Sequence, residues 1–175
     1  DRIVLVDEKG KVVDGDQILG ALANSGLKTD ELNGGGIVTT VMSNLGLEIY
    51  LNSKGLKLCR THVGDRYVLE YMRQHGFNLG GEQSGHIILS DYASTGDGII
   101  AALQILSIAL TEGKSISDVT CLFEPVPQLL RNIKVKDANN FNDTILKNIS
   151  ETAEKQISKM GRVLIRKSGT EEVIR

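Results

Sequence analysis

Residues 36–75, which read GIVTTVMSNLGLEIYLNSKGLKLCRTHVGDRYVLEYMRQH, decide the fold of this chain. The apolar runs 37–41 and 56–60 are short and rich in branched side chains, which is typical of strands. Each run is followed by a segment with apolar residues at helical spacing, over 44–52 and 65–75. Strands that alternate with helices in this way predict an α/β domain whose strands pair largely in parallel.

The residues after this stretch continue the alternation. A glycine-rich loop over 80–86 leads into the short apolar run 87–89, which predicts a further strand. Thr95 or Asp97 is then placed to cap a long helix that extends to about Thr111. This segment completes a predicted α/β domain with a mixed sheet.

The residues before the stretch predict a β-hairpin followed by a helix. Residues 3–6 and 11–13 are strand-like and flank a turn that contains a glycine. Asp14 and Asp16 stand where a helix cap belongs, and residues 24–26 are expected to end that helix.

The two prolines in 124–127 predict a hinge, because proline disfavours regular structure at and before its own position. Beyond it we predict a strand over 129–135, an amphipathic helix over 143–160 and a strand over 163–165. The triple glycine at 34–36 marks a second boundary. The predicted domains are the tail of one domain over 1–32, an α/β domain over 33–120 and a partial α+β domain over 121–175.

The composition argues against several classes of partner. A formal net charge of -2 offers no electrostatic basis for binding nucleic acid, and no apolar run reaches the roughly 20 residues of a membrane span. Two distant cysteines do not suggest a disulfide framework, and the three histidines lack the spacing of metal ligands. No secretory pattern is visible. We therefore expect a cytoplasmic protein without nucleic-acid or membrane partners.

The loop 80–86 carries the first group of residues suited to chemistry. Its glycines allow a ligand to approach the backbone closely. Its polar side chains supply hydrogen-bond donors and acceptors: Glu82, Gln83, Ser84 and His86. A carboxylate beside a hydroxyl suits the hydroxyl groups of a sugar ring. On composition alone, a plain polar connection between two elements fits the loop equally well.

A second candidate site, at residues 166–170, follows directly after an apolar run. Its sequence, Arg-Lys-Ser-Gly-Thr, combines two cations, two hydroxyl groups and a glycine, which is typical of a phosphate-binding loop. A solvated basic turn is the alternative for so short a motif. A weaker candidate is the turn before the helix at 65–75, where Asp65 suits a helix cap and Arg66 favours an anionic ligand.

Two well-known catalytic and binding motifs are matched only in part, and both are excluded. Residues 113–115 resemble the end of a nucleotide-binding P-loop, but Ile108 stands where that motif needs its first glycine. Ser84 does not fit the nucleophile elbow of serine hydrolases, because Glu82 and His86 stand where the elbow needs glycines.

Taken together, these motifs resemble the α-D-phosphohexomutase superfamily. The resemblance rests on Asp1-Arg2 at the start, Gly-Glu-Gln-Ser-Gly-His at 81–86 and Arg-x-Ser-Gly-Thr-Glu at 166–171, in this order. Residues 12–19 and 63–68 further resemble the bacterial phosphoglucosamine mutase branch of that superfamily. The chain is thereby identified as an internal fragment of a four-domain enzyme, with the α/β domain as the third domain.

The resemblance implies a role for each matching residue. Asp1 would be one of three ligands of a Mg²⁺ ion, with the other two outside this sequence. Arg2, Arg66 and His86 would lie at the reacting end of the cleft as catalytic residues. The remaining positions would bind the substrate, with Glu82 and Ser84 on the sugar hydroxyls and four residues on the distal phosphate: Arg166, Ser168, Gly169 and Thr170.

The implied reaction exchanges glucosamine 6-phosphate and glucosamine 1-phosphate through a phosphoserine enzyme and a bisphosphate intermediate, on the route to cell-wall precursors. No segment here corresponds to the nucleophilic serine loop, so the fragment alone is expected to be inactive. Lys167 and Glu172 depart from the family pattern, which usually has proline at the second of these positions. The alternatives are a mutase acting on glucose or mannose phosphates and a non-catalytic phosphosugar-binding module.

Both ends of the sequence interrupt strand-like runs, which is the pattern of a segment taken from a longer protein. Such ends would leave strand edges unpaired, and we expect self-association through these edges.

Overall fold

The computed structural model describes residues 1–135, 141–157, 161–168 and 172–175. Two compact units make up the chain, Asp1–Val126 and Pro127–Arg175. The strands are β1 (Leu5–Val6), β2 (Val12–Val13), β3 (Gly36–Thr40), β4 (Lys57–Thr61), β5 (Leu79–Gly81), β6 (Ile87–Leu89), β7 (Ile133–Lys134) and β8 (Val173–Ile174). The helices are α1 (Gly15–Thr29), α2 (Leu45–Ser53), α3 (Asp65–His75), α4 (Gly98–Glu112), α5 (Ile116–Thr120) and α6 (Asp143–Ile157).

A four-stranded mixed sheet with the order β4-β3-β5-β6 forms the centre of the first unit. The central strand β3 pairs in parallel with β4 and with β5, so that Val38 lies between Cys59 and Gly80. β6 returns antiparallel to β5. The predicted α/β class and mixed sheet are confirmed.

Alternate residues of the strands divide the core between the two faces of the sheet. Ile37 and Ile87 belong to the buried cluster that includes apolar residues of α1, α2 and α4. Their neighbours Val38 and Ile88 pack with Val68 and Met72 of α3 on the opposite face. This division follows from the period of two along a strand, and it produces a helix–sheet–helix sandwich.

Helix α1 extends further than the sequence predicted. The expected stop at residues 24–26 is wrong, because the helix continues to Thr29 and ends at Asp30, whose φ is 58°. The carbonyl of Gly26 accepts hydrogen bonds from the backbone N–H groups of Glu31 and Leu32 after the helix end. A Cβ at position 26 would lie 3.3 Å from the Cβ of Leu32. Gly26 therefore allows Leu32 to pack closely against the helix, and it does not end the helix.

The hairpin of β1 and β2 agrees with the prediction. Val6 pairs with Val12, and the Asp7 carboxylate accepts hydrogen bonds from the N–H groups of Lys9 (2.9 Å) and Lys11 (2.8 Å) across the turn. Glu8 accepts a bond from Ser117 N (3.1 Å), which ties the hairpin to α5.

Of the two possible caps for α4, the structure selects Asp97, whose Oδ1 accepts bonds from the N–H groups of Ile99 (2.8 Å) and Ile100 (3.1 Å). We expect Asp97→Ala to lower the free energy of unfolding by about 1 kcal/mol, because two N–H groups lose their acceptor. Thr95→Ala, at the other position considered, should change it by less than about 0.5 kcal/mol. Urea unfolding of both variants tests this, and equal losses would contradict the assignment.

The second unit contains β7, α6 and β8. Its backbone pairing joins Ile133 to Ile174, and the N–H and C=O groups of Arg166 and Arg175 exchange two bonds of 2.8 Å. The predicted strand 129–135 is therefore reduced to Ile133–Lys134. The predicted strand 163–165 is wrong, because these residues lie outside any strand and the pairing with β8 is an isolated bridge between Lys167 and Ile174. Residues 158–160, at the end of the predicted helix, lie outside the described residues.

The division between the two units lies after Val126, six residues beyond the boundary predicted after residue 120. Helix α1, which lies wholly within the separate domain predicted over 1–32, packs on β5 and α4 within the first unit. Among the described residues, no helix is long and apolar enough to cross a membrane.

Candidate functional site

Three loops meet at the carboxyl edge of the central sheet. They follow the parallel strands β3, β4 and β5 and comprise residues 41–44, 62–64 and 82–86. This edge is where open parallel sheets usually bind ligands, because the loops there diverge and leave a crevice. The predicted sugar-binding loop is one of the three.

The loop 82–86 is a tight connection between β5 and β6. Glu82 N–H donates to the His86 carbonyl (2.9 Å), and Gly85 N–H donates to the Glu82 carbonyl (3.0 Å). Gly85 has a φ of 90°, in the left-handed region that favours glycine. The loop backbone is thereby closed on itself, and the Glu82, Ser84 and His86 side chains lie close along the chain.

Two other segments hold this loop from outside. Gly15 N–H, at the start of α1, donates to the Gln83 carbonyl (3.0 Å), and Ile3 N–H donates to the Gly85 carbonyl (2.9 Å). A Cβ at Gly15 would lie 2.1 Å from the Glu82 carbonyl oxygen, and one at Gly85 would lie 2.2 Å from the Ile3 carbonyl oxygen. Close approach of backbone to backbone therefore requires glycine at both positions.

The two predicted sugar-binding side chains differ in exposure. Glu82 is half-buried, and its Oε1 accepts a hydrogen bond from Gly64 N–H (3.2 Å) in the neighbouring loop. Ser84 is exposed at the tip of the loop. The Glu82 carboxylate is thus held in place, while the Ser84 hydroxyl can reach a ligand.

His86 is buried between two carboxylates. Its Nδ1 lies 2.8 Å from Asp1 Oδ1, and its Nε2 lies 3.5 Å from Asp65 Oδ2. A Cβ at Gly96 would lie 2.2 Å from Nε2, so this glycine leaves the space that the ring occupies. From the sequence, Asp65 is predicted only to cap a helix, and the turn before α3 is the one local signal of its position.

The two predicted catalytic arginines lie on the surface. Arg66 is exposed on the first turn of α3, and its Nε lies 2.9 Å from Glu70 Oε1 on the same helix. That pairing raises the pKa of Arg66. Arg2 is also exposed, and its carbonyl lies against Gly98 at the start of α4. The structure therefore groups His86 with Asp1 and Asp65, while the Arg66 guanidinium is turned toward its own helix.

Of the three Mg²⁺ ligands that the family resemblance implies, this sequence contains only Asp1. Among the residues that the structure describes, no three His, Cys, Asp or Glu side chains are grouped as a metal site requires. One carboxylate does not form a Mg²⁺ site, so the described residues do not fit this ion by themselves.

The described part of the predicted phosphate loop, residues 166–168, pairs with residues 173–175 in the second unit. Ser168 N–H donates to the Val173 carbonyl (3.0 Å), and Arg166 is half-buried in the pairing with Arg175. Gly169 and Thr170 lie outside the described residues.

Asp16, predicted from the sequence as part of a helix cap, is instead buried beside the 41–44 loop. Its exposed fraction is 1%, and its Oδ2 accepts a hydrogen bond from Asn44 N–H (2.8 Å). Burial raises the pKa of Asp16 to about 6, with a smaller contribution from the charge of Asp14. Other contacts lower the pKa of Asp16, first the hydrogen bond from Asn44 N–H and, less strongly, the charge of Arg60. They do not offset the effect of burial.

This raised pKa makes stability depend on pH. The native state binds the Asp16 proton more tightly than the unfolded chain does, so protonated Asp16 adds to the free energy of unfolding. This contribution is fully present below about pH 4 and is lost as the pH rises through about 6. Asp16→Asn should remove this dependence, and at pH 7 it should raise the free energy of unfolding by on the order of 2 kcal/mol. Urea unfolding between pH 4 and pH 8 measures it, and an unchanged pH profile would contradict the prediction.

Curated relatives match the chain over its whole length. It is 53% identical over 175 residues to a phosphoglucosamine mutase of Rhizobium etli and 55% identical to one of Brucella anthropi. The chain spans 39% of the length of each relative.

Solved structures share the fold. An N-acetylphosphoglucosamine mutase of Aspergillus fumigatus, in complex with GlcNAc-6P and magnesium, superposes with a TM-score of 0.74 at 20% identity, covering 98% of this chain and 44% of that one. A phosphoglucomutase/phosphomannomutase family protein of Burkholderia thailandensis gives a TM-score of 0.75 at 20% identity, covering 99% and 39%.

Two sequence models of one family account for most of the chain. The alpha/beta/alpha domain III of phosphoglucomutase/phosphomannomutase matches residues 14–126, and the C-terminal domain of the same family matches residues 129–175. The two matches adjoin where the structure divides into its two units. The chain therefore belongs to the phosphoglucomutase/phosphomannomutase family.

Proposed function

We propose that the full-length protein carrying this chain is a phosphosugar mutase that interconverts glucosamine 6-phosphate and glucosamine 1-phosphate in the cytosol, supplying cell-wall precursors. The observation that carries the proposal is the grouping of Glu82, Ser84 and His86 on one short loop, with Asp1 against the His86 ring. The identity to phosphoglucosamine mutases of Rhizobium etli and Brucella anthropi supports the choice of an amino sugar.

Glu82 and Ser84 bind the sugar in this proposal. Gly64 N–H occupies one lone pair of the Glu82 carboxylate, and the ring hydroxyls donate to the remaining ones. Hydrogen bonds to a carboxylate are stronger than bonds between neutral groups, so this contact contributes most to holding the ring. The exposed Ser84 hydroxyl adds a contact that can serve either orientation of the sugar, since it both donates and accepts.

His86 acts as the general acid and base at the reacting hydroxyl. It takes the proton of the sugar hydroxyl that attacks the phosphoserine, and in the second transfer it returns this proton to the sugar oxygen from which the phosphoryl group leaves. The serine oxygen takes up a proton when it leaves and loses it when it attacks again. Asp1, 2.8 Å from Nδ1, holds the ring in place. Arg66 and Arg2 bind the reacting phosphate, for which Arg66 must leave Glu70. An exposed pair of this kind is weak, so a phosphate readily replaces it.

Arg166, Ser168, Gly169 and Thr170 bind the phosphate that does not react. A phosphoserine outside this chain transfers its phosphoryl group to the sugar phosphate, and the bisphosphate turns over and returns the other phosphoryl group to the serine. The 175-residue chain alone is therefore inactive. Mg²⁺ belongs to the proposal as cofactor of the full-length protein, with Asp1 as one ligand, supported by the magnesium of the Aspergillus fumigatus complex.

A coupled mutase assay on the full-length protein tests the proposal. We expect kcat/KM for glucosamine 6-phosphate to exceed the values for glucose 6-phosphate and mannose 6-phosphate at least about tenfold, or 1.4 kcal/mol in transition-state binding. Equal or better turnover of glucose or mannose phosphate would contradict the amino-sugar specificity. No turnover of any of the three would favour a non-catalytic phosphosugar-binding module.

A further inference from the structure

The imidazole ring of His86 fills the space that a side chain at position 96 would need. A Cβ at Gly96 would lie 2.2 Å from Nε2, 2.4 Å from Cδ2 and 3.0 Å from Cε1 of His86, and these are the nearest atoms beyond the adjacent residues. The φ of Gly96 lies outside the left-handed region, so backbone strain does not require glycine here. The His86 ring alone therefore accounts for glycine at this position.

Gly96 belongs to the segment 94–98, which is anchored within the first unit. Asp97 N–H donates to the Ile87 carbonyl (3.2 Å) at the start of β6. The Asp97 carboxylate also caps α4 through two backbone N–H groups. The segment is thus tied to the strand that follows His86 and to the helix that follows Gly96, and it forms a fixed wall beside the ring.

Other contacts enclose the remaining sides of the ring, which belongs to a residue only 8% exposed. Asp1 Oδ1 lies 2.8 Å from Nδ1, and Asp65 Oδ2 lies 3.5 Å from Nε2. The same wall supports the residues next to Asp1, because a Cβ at Gly98 would lie 2.6 Å from the Arg2 carbonyl oxygen. A methyl group at position 96 would therefore displace the His86 ring from an enclosed position.

We propose that Gly96 is a positioning residue for His86, because it fixes the place from which the imidazole ring exchanges a proton with the sugar. The proposal rests on the proposed function. Carbon atoms in contact lie about 3.5–4.0 Å apart, so a methyl group at position 96 would push the ring at least about 1 Å from its place. A misplacement of about 1 Å costs up to about 10²-fold in the rate of a reaction that depends on orientation.

The kinetic test uses Gly96→Ala in the full-length protein. We expect kcat for glucosamine 6-phosphate to fall about 10²-fold, because the ring is misplaced. KM should stay within about threefold of wild type, since Glu82 and Ser84 are the residues proposed to bind the sugar. Adding Gly96→Ala to His86→Gln should lower kcat by less than about twofold more, because both changes act on the same group.

A chemical probe follows the ring independently of activity. Diethyl pyrocarbonate modifies imidazole nitrogens that it can reach, and mass spectrometry measures the modification of each histidine separately. Exposed His62 and His75 serve as references in the same molecule, while buried His86 should react slowly in the wild-type protein. In Gly96→Ala we expect His86 to react about tenfold faster, because the ring leaves the space in which it is buried.

Gly113→Ala is the matched control at the other end of α4. Gly113 has a φ of 62°, and no atom lies within 4 Å of a Cβ built there. Alanine is strained in this conformation, so the variant should lose stability. It should leave kcat, KM and the modification rate of His86 unchanged, which separates a loss of stability from a loss of position.

A kcat within about threefold of wild type in Gly96→Ala would overturn the positioning role, as would an equal loss in Gly113→Ala or an unchanged modification rate at His86. If Gly96→Ala does not fold, His86→Ala/Gly96→Ala replaces it. A folded double variant supports the contact with the ring, and an unfolded one overturns it. A wild-type protein that turned over no phosphosugar would instead remove the proposed function, while the modification rates would still report the place of the ring.

Discussion

Replacing His86 with glutamine is expected to lower kcat of the full-length protein in the proposed mutase reaction by about 10²–10⁴-fold, the usual contribution of a general acid and base. Glutamine keeps a polar side chain next to Asp1 but cannot accept and return a proton. KM should change much less, because His86 is not among the residues proposed to grip the sugar. Steady-state kinetics with glucosamine 6-phosphate measures both constants.

His75→Gln is the control for this experiment. His75 is exposed at the end of α3, where its Nδ1 lies 3.0 Å from the Tyr71 carbonyl oxygen. It should leave kcat unchanged. A His86→Gln enzyme that kept more than about a tenth of wild-type kcat would rule out a proton-transfer role, since the residual barrier change would be below about 1.4 kcal/mol.

The second large effect is expected from Gly15→Ala. The new methyl group would lie 2.1 Å from the Glu82 carbonyl oxygen and 2.9 Å from the Gln83 carbonyl carbon. Both neighbours are backbone atoms, so either the start of α1 or the loop 82–86 must move. We expect the free energy of unfolding to fall by about 2–3 kcal/mol and the sugar affinity to fall with it.

Gly20→Ala, in the middle of the same helix, is the matched control. Its methyl group would lie 3.2 Å from the edge of the Phe123 ring, a side chain that can shift by a few tenths of an ångström. Alanine also favours the helix, so the net change should stay within about 1 kcal/mol. Urea unfolding separates the two variants, and similar losses would mean that contact with the loop is not what requires glycine at position 15.

Local sequence signals predicted much of the first unit. The bounds of α3 were predicted as Asp65–His75, where Gly64 precedes the helix and Gly76 ends it in a left-handed conformation. The strand β6 and the hairpin of β1 and β2 followed from short apolar runs between turn residues. Such signals work because caps, turns and the period of apolar residues act over a few neighbouring positions.

The same reasoning failed where a tertiary or backbone contact overrides the preference of the residue itself. The end of α1 was predicted at a glycine that instead admits Leu32 at close range. The second unit has short strands because only residues opposite a partner enter the ladder, and the sequence does not say which residues those are.

The sequence by itself determined the family and the residues of the proposed sugar loop, because glycines, a carboxylate, a hydroxyl and an imidazole in fixed order need no tertiary information to be recognised. Only the tertiary structure decided that Asp65 lies beside His86, that Asp16 is buried under Asn44, and that Asn44 holds Val126. These partners are far apart along the chain. The strand order β4-β3-β5 brings the segments that carry Asn44, Asp65 and His86 to one edge, and no local pattern of residues records that order.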